Sequence, residues 1–234
     1  MELTQRLAAI ADFIPPGAVV ADVGTDHALL PIYLVQSGKT PRAIATDLNK
    51  KPFMGACLAV LNRNLDNLID VRLGSGLQPL SPGEAGIIVI SGMGGGTIIN
   101  ILEESTGILA HTERLILQPM ADAARLRLWL AGNGWRLAAE RLVREDGRIY
   151  PVLVAEPGEE PERDTLKLEL GPRLLEQGDP LLEDYLEKIK SDYQKVLSGL
   201  ARSRSREARD KANILTKKYA GVREMLRSCR QNAR

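Results

Sequence analysis

Cysteine and histidine are nearly missing from this chain: two of each in 234 residues. Cys57 and Cys229 lie far apart in sequence and form no C-x-x-C pair, and His27 and His111 add no ligand spacing. A disulfide framework and a structural zinc site are therefore not expected, and no metal is assigned. Aromatic residues make up only 4%, so the core must be built from aliphatic side chains. No apolar run approaches the roughly eighteen residues of a membrane span, so no membrane partner is expected. The opening Met1-Glu2-Leu3-Thr4-Gln5-Arg6 lacks the basic and then apolar regions of a secretory signal, which makes the cytoplasm the expected location.

The formal net charge of +1 conceals an asymmetry. From Arg202 onward, eleven basic residues face Glu207, Asp210 and Glu224, a net +8 that leaves about −7 for the rest. A basic appendage on an acidic body suits a polyanionic partner. Two apolar stripes stand at the end of the chain: Leu182, Tyr185, Ile189, Tyr193, Val196 and Leu200, then Ala212, Leu215, Tyr219, Val222, Leu226 and Cys229. Their three- and four-residue steps predict an antiparallel helical hairpin, or coiled coil, with the stripes as its seam. Each arm would be roughly 35 Å long at 1.5 Å per residue.

Upstream, short apolar runs alternate with helical patterns. Strands are predicted at Val19–Val23, Ala43–Asp47, Val71–Leu73, Gly86–Ser91, Arg114–Leu117, Trp135–Glu145 and Arg148–Glu156. Helices are predicted over Glu2–Phe13, His27–Ser37, Lys50–Asn64, Gly95–Glu104 and Asp122–Gly132. This is the alternation of an α/β, Rossmann-like, mostly parallel sheet. Asp146-Gly147 between the last two runs signals a terminal antiparallel hairpin, the shape of class I methyltransferases. The charged, proline-broken stretch from Glu156 to Glu162 reads as a linker. Residues 1–160 would thus form the cofactor-binding domain, and 161–234 a linker and basic hairpin.

The chemistry is concentrated at strand ends. Asp22-Val23-Gly24-Thr25-Asp26-His27 carries the chain out of the first strand, and Asp47-Leu48 out of the second. A glycine turn lets backbone approach a ligand, and an acid at the second strand tip can accept from ribose hydroxyls. Asp26 stands where nucleotide-binding loops carry a glycine. Its charge would repel a diphosphate but could meet the ammonium or sulfonium of S-adenosylmethionine; capping the following helix is its other possible role. Gly74, Ser75 and Gly76 follow the third strand. Ser91-Gly92-Met93-Gly94 empties from the fourth, where ligands bind in open α/β sheets.

Together A-D-V-G-T-D-H-A-x-L-P (Ala21 to Pro31), R-L-G-S-G-L, S-G-M-G-G, L-Q-P-M (Leu117 to Met120) and E-D-G-R-I-Y (Glu145 to Tyr150) resemble the bacterial tRNA adenine-22-N1-methyltransferases. The resemblance covers nearly the whole chain. It implies S-adenosylmethionine as cofactor, held by Asp22, Gly24, Thr25, Asp26, His27, Asp47, Leu48, Gly74, Ser75, Gly76, Gly92, Met93 and Gly94. It implies methyl transfer to adenine N1 in tRNA, with His27, Met93, Gln118 and Tyr150 as candidates for orienting the base. Arg202, Arg204, Arg206, Arg209, Lys211, Lys217 and Lys218, with Arg125 and Arg127 on the body, are the candidate tRNA contacts. A non-catalytic RNA-binding module, or a methyltransferase for another RNA, protein or small molecule, is the alternative. Oligomeric state does not follow from the sequence; a monomer is the default.

Overall fold

The computed structural model describes residues 2–203 and 205–232. Seven strands form one sheet: β1 (Val20–Val23), β2 (Ala43–Asp47), β3 (Ile69–Leu73), β4 (Ile87–Met93), β5 (Arg114–Pro119), β6 (Trp135–Glu145) and β7 (Arg148–Pro157). Their spatial order is β3-β2-β1-β4-β5-β7-β6. β1 to β5 pair in parallel, and β7 runs antiparallel between β5 and β6. The Asp146-Gly147 turn has φ of 49° and 72°, the doubly left-handed backbone that Asp-Gly supplies to a tight hairpin.

Helices α1 (Gln5–Phe13), α2 (Leu29–Gln36), α3 (Lys50–Leu61), α4 (Gly95–Glu103), α5 (Thr106–Leu109) and α6 (Ala123–Gly132) accompany the sheet. Val20, Ala21 and Ile87 to Ile90 are buried, as parallel strands covered on both faces must be. Three aliphatic clusters fill the space between sheet and helices.

The expected helix His27–Ser37 begins later, at Leu29. Asp26, His27 and Ala28 have φ of 20°, 59° and 51°, so the chain turns left-handed for three residues before it can enter a helix. Asp26 does not cap that helix, whose N-cap position is Ala28.

After the sheet come two short helices absent from the sequence reading, α7 (Thr165–Leu170) and α8 (Pro172–Gln177), then α9 (Leu182–Leu200) and α10 (Arg206–Asn232). The expected linker is fastened to the body. Buried Glu160 accepts from the Leu137 amide at 2.7 Å and from Arg173 Nη2 at 2.7 Å. α9 and α10 form the predicted hairpin, with Arg230 of α10 bonded to Glu183 and Glu187 at the start of α9. The arms are unequal, about 28 and 40 Å at 1.5 Å per residue. Leu182, Tyr185, Leu186, Val222 and Leu226 bury the hairpin's base against Leu142, Leu170 and Leu174. Towards the tip Ala208 is buried and Leu200, Ala212 and Leu215 are half-buried, while Val196 and Ile214 stand exposed.

Candidate active site

β1 leads to β2 on one side while its other neighbour, β4, leads to β5, so the sheet's topological switch point lies between β1 and β4. A cleft of about 310 Å³ opens there at the strands' carboxyl ends. Asp22, Gly24, Thr25, Asp26, Ser91, Gly92 and Gln118 line it, and α1 closes it with Thr4, Arg6, Leu7 and Ile10.

Asp22 is buried at its base. Thr25 Oγ1 donates to its carboxylate at 2.6 Å. Burial pushes the Asp22 carboxyl up to about 6 from an ordinary 3.8; the Thr25 bond opposes this and the charge of Asp47 adds to it. Because the folded value lies above the unfolded one, Asp22 costs no stability when protonated. The cost grows between pH 4 and 6 and is complete above that. Asp22→Asn should therefore stabilise the unliganded protein by about 3 kcal/mol at pH 8 and about half that at pH 5. Denaturant titrations at the two pH values check this, and a pH-independent difference contradicts it.

Across β1, Asp47 ends β2 with one carboxylate oxygen accepting from the Asn49 amide at 2.8 Å. The Gly74 amide donates to the Asp47 carbonyl at 2.9 Å, which brings the Gly74-Ser75-Gly76 turn beside it. Gly24 has φ of 74°, and a Cβ there would run into Met93 Cε, so the β1 and β4 loops meet through a glycine and a thioether. Gly92, at φ of 75°, sits in a register irregularity between Ser91 and Met93, after which β4 pairs once more with β5 through Met93 and Pro119. The proposed cofactor residues from Asp22 to Gly94 thus share one edge of the sheet. Leu48 and Leu73 stand exposed beside Asp47.

Of the candidate base-orienting residues, Gln118 and Tyr150 both meet Arg6, and the Gln118 side chain bonds Gly92 beside Met93. The His27 ring lies on the α3 side, 3.6 Å from Asp26 and where a Cβ on Gly55 would approach its Nδ1 to 3.0 Å. That contact accounts for a glycine inside α3, a costly residue in a helix. Gln118 is buried and its polar atoms are used: Oε1 accepts from Arg6 Nη1 at 3.1 Å and from the Gly92 amide at 3.2 Å, while Nε2 donates to the Pro119 carbonyl at 3.0 Å. Tyr150 is buried beneath Arg6, whose guanidinium lies 4.9 Å from the ring centroid.

Arg6 was not singled out in the sequence, yet it joins the L-Q-P-M and E-D-G-R-I-Y blocks. Its Nε donates to Glu145 at 2.7 Å, its amide to the same carboxylate at 3.0 Å, and Nη1 also meets Met120 Sδ at 3.1 Å. No local pattern announces such a residue, since all its partners lie more than a hundred positions away.

Among the candidate RNA contacts, Arg127 is a correction. Its side chain is fully buried against Glu140, so it offers nothing to a phosphate. Arg125, two residues earlier, is exposed next to Gly96. Lys218 is half-buried and holds Glu169 at 2.5 Å, which gives it a partner within the protein. Arg202, Arg206, Arg209, Lys211 and Lys217 lie on the exposed hairpin, and Arg204 lies outside the described residues.

The cleft residues suit a cationic cofactor better than a phosphorylated one. Two acids, Asp22 and Asp26, line it, and its one lining cation, Arg6, is already engaged by Glu145. A parallel sheet finished by an inserted antiparallel strand, with an acid-lined cleft at its switch point, defines a methyltransferase domain. The family described as "Methyltransferase domain" matches residues 3–153. The tRNA (adenine(22)-N(1))-methyltransferase of Bacillus subtilis is 45% identical over 159 residues, covering 68% of this chain and 67% of that protein. The crystal structure of the B. subtilis m1A22 tRNA methyltransferase TrmK superposes with a TM-score of 0.89 at 33% identity, covering 96% of this chain and 99% of that one. Streptococcus pneumoniae Sp1610 in complex with S-adenosyl-L-methionine gives 0.84 at 34% identity, covering 96% and 100%. This chain belongs to the tRNA (adenine(22)-N(1))-methyltransferase family.

Proposed function

We propose that this protein transfers the methyl group of S-adenosylmethionine to N1 of adenine 22 in tRNA, acting in the cytoplasm as a single chain. The observation that carries the reading is the acid-lined cleft at the switch point, joined in one chain of this family to a basic helical hairpin. In this reading residues 1–160 hold the cofactor and residues 161–234 engage the tRNA.

When bound, S-adenosylmethionine supplies an electrophilic methyl group. Asp47 would accept from the ribose hydroxyls, while Asp22 and Asp26 would face the positively charged methionine end. The Gly24 turn and Gly92 to Gly94 let backbone come close on either side. Adenine N1 carries an in-plane lone pair, so no strong base is required, and the protein's task is alignment. N1 lies on the Watson–Crick edge, so the nucleotide must leave its stack to react. The bonded state of Gln118 supports a role in holding the Gly92 backbone rather than in touching the base.

Incubating the protein with labelled S-adenosylmethionine and mixed tRNA, then analysing the nucleosides, should yield N1-methyladenosine; label in another nucleoside, or none, would reject the reading. Asp47→Ala should weaken S-adenosylmethionine binding by about 1.5–3 kcal/mol, or one to two decades, because a charged acceptor is lost. Calorimetry giving unchanged affinity would remove Asp47 from the site.

A further inference from the structure

A second cleft, of about 320 Å³, separates the body from the hairpin. Its floor runs from Pro119 at the end of β5 through the following turn to Ala124 in the first turn of α6, and Ile149 and Pro151 also line it. Tyr185, Ile189 and Tyr193 on α9 form the facing wall, with Lys188 at the rim.

This floor is bolted to the glycine-rich loop of the first cleft. The Met120 amide donates to the Met93 carbonyl at 2.8 Å, and the Gly95 amide donates to the Ala121 carbonyl at 2.9 Å. Gly95 is required here, since a Cβ would lie 2.6 Å from the Asp122 carbonyl oxygen. The second cleft therefore opens on the same edge as the first, one strand further along and on the way to the basic hairpin.

Its lining suits a flat, uncharged group. Glu169 is neutralised by Lys218 at 2.5 Å, and Asp192 by Lys188 at 3.3 Å. What remains is Asp122 at the start of α6, aliphatic surface and two of the five tyrosines of an aromatic-poor chain. Tyr185 is buried, with its hydroxyl taken by Arg127 Nη1 at 3.4 Å. Tyr193 stays half-exposed, and burial together with Glu169 pushes its hydroxyl up to about 12, which keeps it neutral at working pH.

The geometry points to a second nucleotide subsite: the cleft takes the base of an unpaired nucleotide beside the methylated adenine of the substrate RNA, stacked on Tyr193. The inference rests on the proposed activity. Extruding the target adenine deprives its neighbour of a stacking partner, and an aromatic ring replaces that partner without regard to base identity. The volume leaves room for a base with its sugar.

The test couples Tyr193 to the RNA. Substrate tRNAs are made with an abasic residue at each of the two positions on either side of the target adenine. Initial rates are measured with the wild type, Tyr193→Phe and Tyr193→Leu; the leucine keeps apolar volume at the hairpin base. For intact tRNA, Tyr193→Leu should lower kcat/KM by about 10- to 100-fold, from the usual worth of one base–aromatic stack, whereas Tyr193→Phe stays near the wild type. One abasic tRNA should show the same loss with the wild type and no further loss with Tyr193→Leu. Affinity for S-adenosylmethionine should be equal in all three proteins. Losses that multiply at all four positions, or an unaffected Tyr193→Leu enzyme, overturn the subsite while leaving the activity standing. Failure of the wild type to form N1-methyladenosine on intact tRNA overturns the activity and the subsite together.

Discussion

Replacing Arg127 by alanine should destabilise the protein by about 3–5 kcal/mol, the cost of leaving a buried charge without its partner. Arg127 Nε donates to Glu140 at 2.6 Å and Nη1 to the Glu169 carbonyl at 2.8 Å, with both charged side chains fully removed from solvent. The other Glu140 oxygen accepts only a backbone amide, that of Arg173 at 3.0 Å. Without the guanidinium, the Glu140 carboxylate must be buried uncompensated or take up a proton. For a chain of this length the midpoint of thermal unfolding should fall by about 10 °C. Replacing both residues, Arg127→Met with Glu140→Leu, should recover most of the loss, because an apolar pair of similar volume has no desolvation cost to repay. Below the lowered midpoint, tRNA affinity should be unchanged. A small stability loss accompanied by weakened tRNA binding would return Arg127 to the RNA surface.

Why the sequence offered both Arg125 and Arg127 as RNA contacts is instructive. Residues two apart on a helix point to nearly opposite sides, so only one could face solvent on a helix packed against a sheet. Arg127 shares its face with the buried Leu130, three residues on. Charge alone hid that geometry.

Elsewhere, what was legible follows from local chemistry. The parallel strands could be read because Ile87 to Ile90 and Ala43 to Ala45 are continuous apolar runs bounded by turns, and the closing hairpin because Asp-Gly tolerates two left-handed residues. The late start of α2 was not legible, since three successive left-handed non-glycine residues leave no propensity signal. α7 and α8 escaped notice because each has only six residues and Gly171-Pro172 divides them. At the site, the acids and glycines of the strand ends announced themselves by position. Arg6 did not, because its role exists only once α1 lies across the ends of β5, β6 and β7.

The hairpin carries the remaining large effect. Cutting the chain at Pro180 would strip Tyr185, Leu186, Val222 and Leu226 from Leu142, Leu170 and Leu174, so truncation would confound RNA binding with loss of core. Neutralising charge towards the tip avoids this. Lys218 and Arg230 are committed to Glu169, Glu183 and Glu187, whereas Arg202 and Lys217 are exposed, and Arg206 and Lys211 have, among the described residues, i,i+4 partners at 4.0 and 3.8 Å. Such exposed pairs contribute little and yield readily to phosphate. The variant carrying Arg202→Gln, Arg206→Gln, Lys211→Gln and Lys217→Gln should keep its unfolding temperature and its affinity for S-adenosylmethionine. Its tRNA affinity should fall by about two decades near physiological salt, and the log–log dependence on salt should flatten by about 3 to 4, the counterions released by four phosphate contacts. A dimerisation hairpin would predict instead a changed sedimentation mass with the salt slope intact. Unchanged affinity and slope would move the RNA site onto the body, where Arg125, exposed beside the glycine-rich loop, is the next residue to replace.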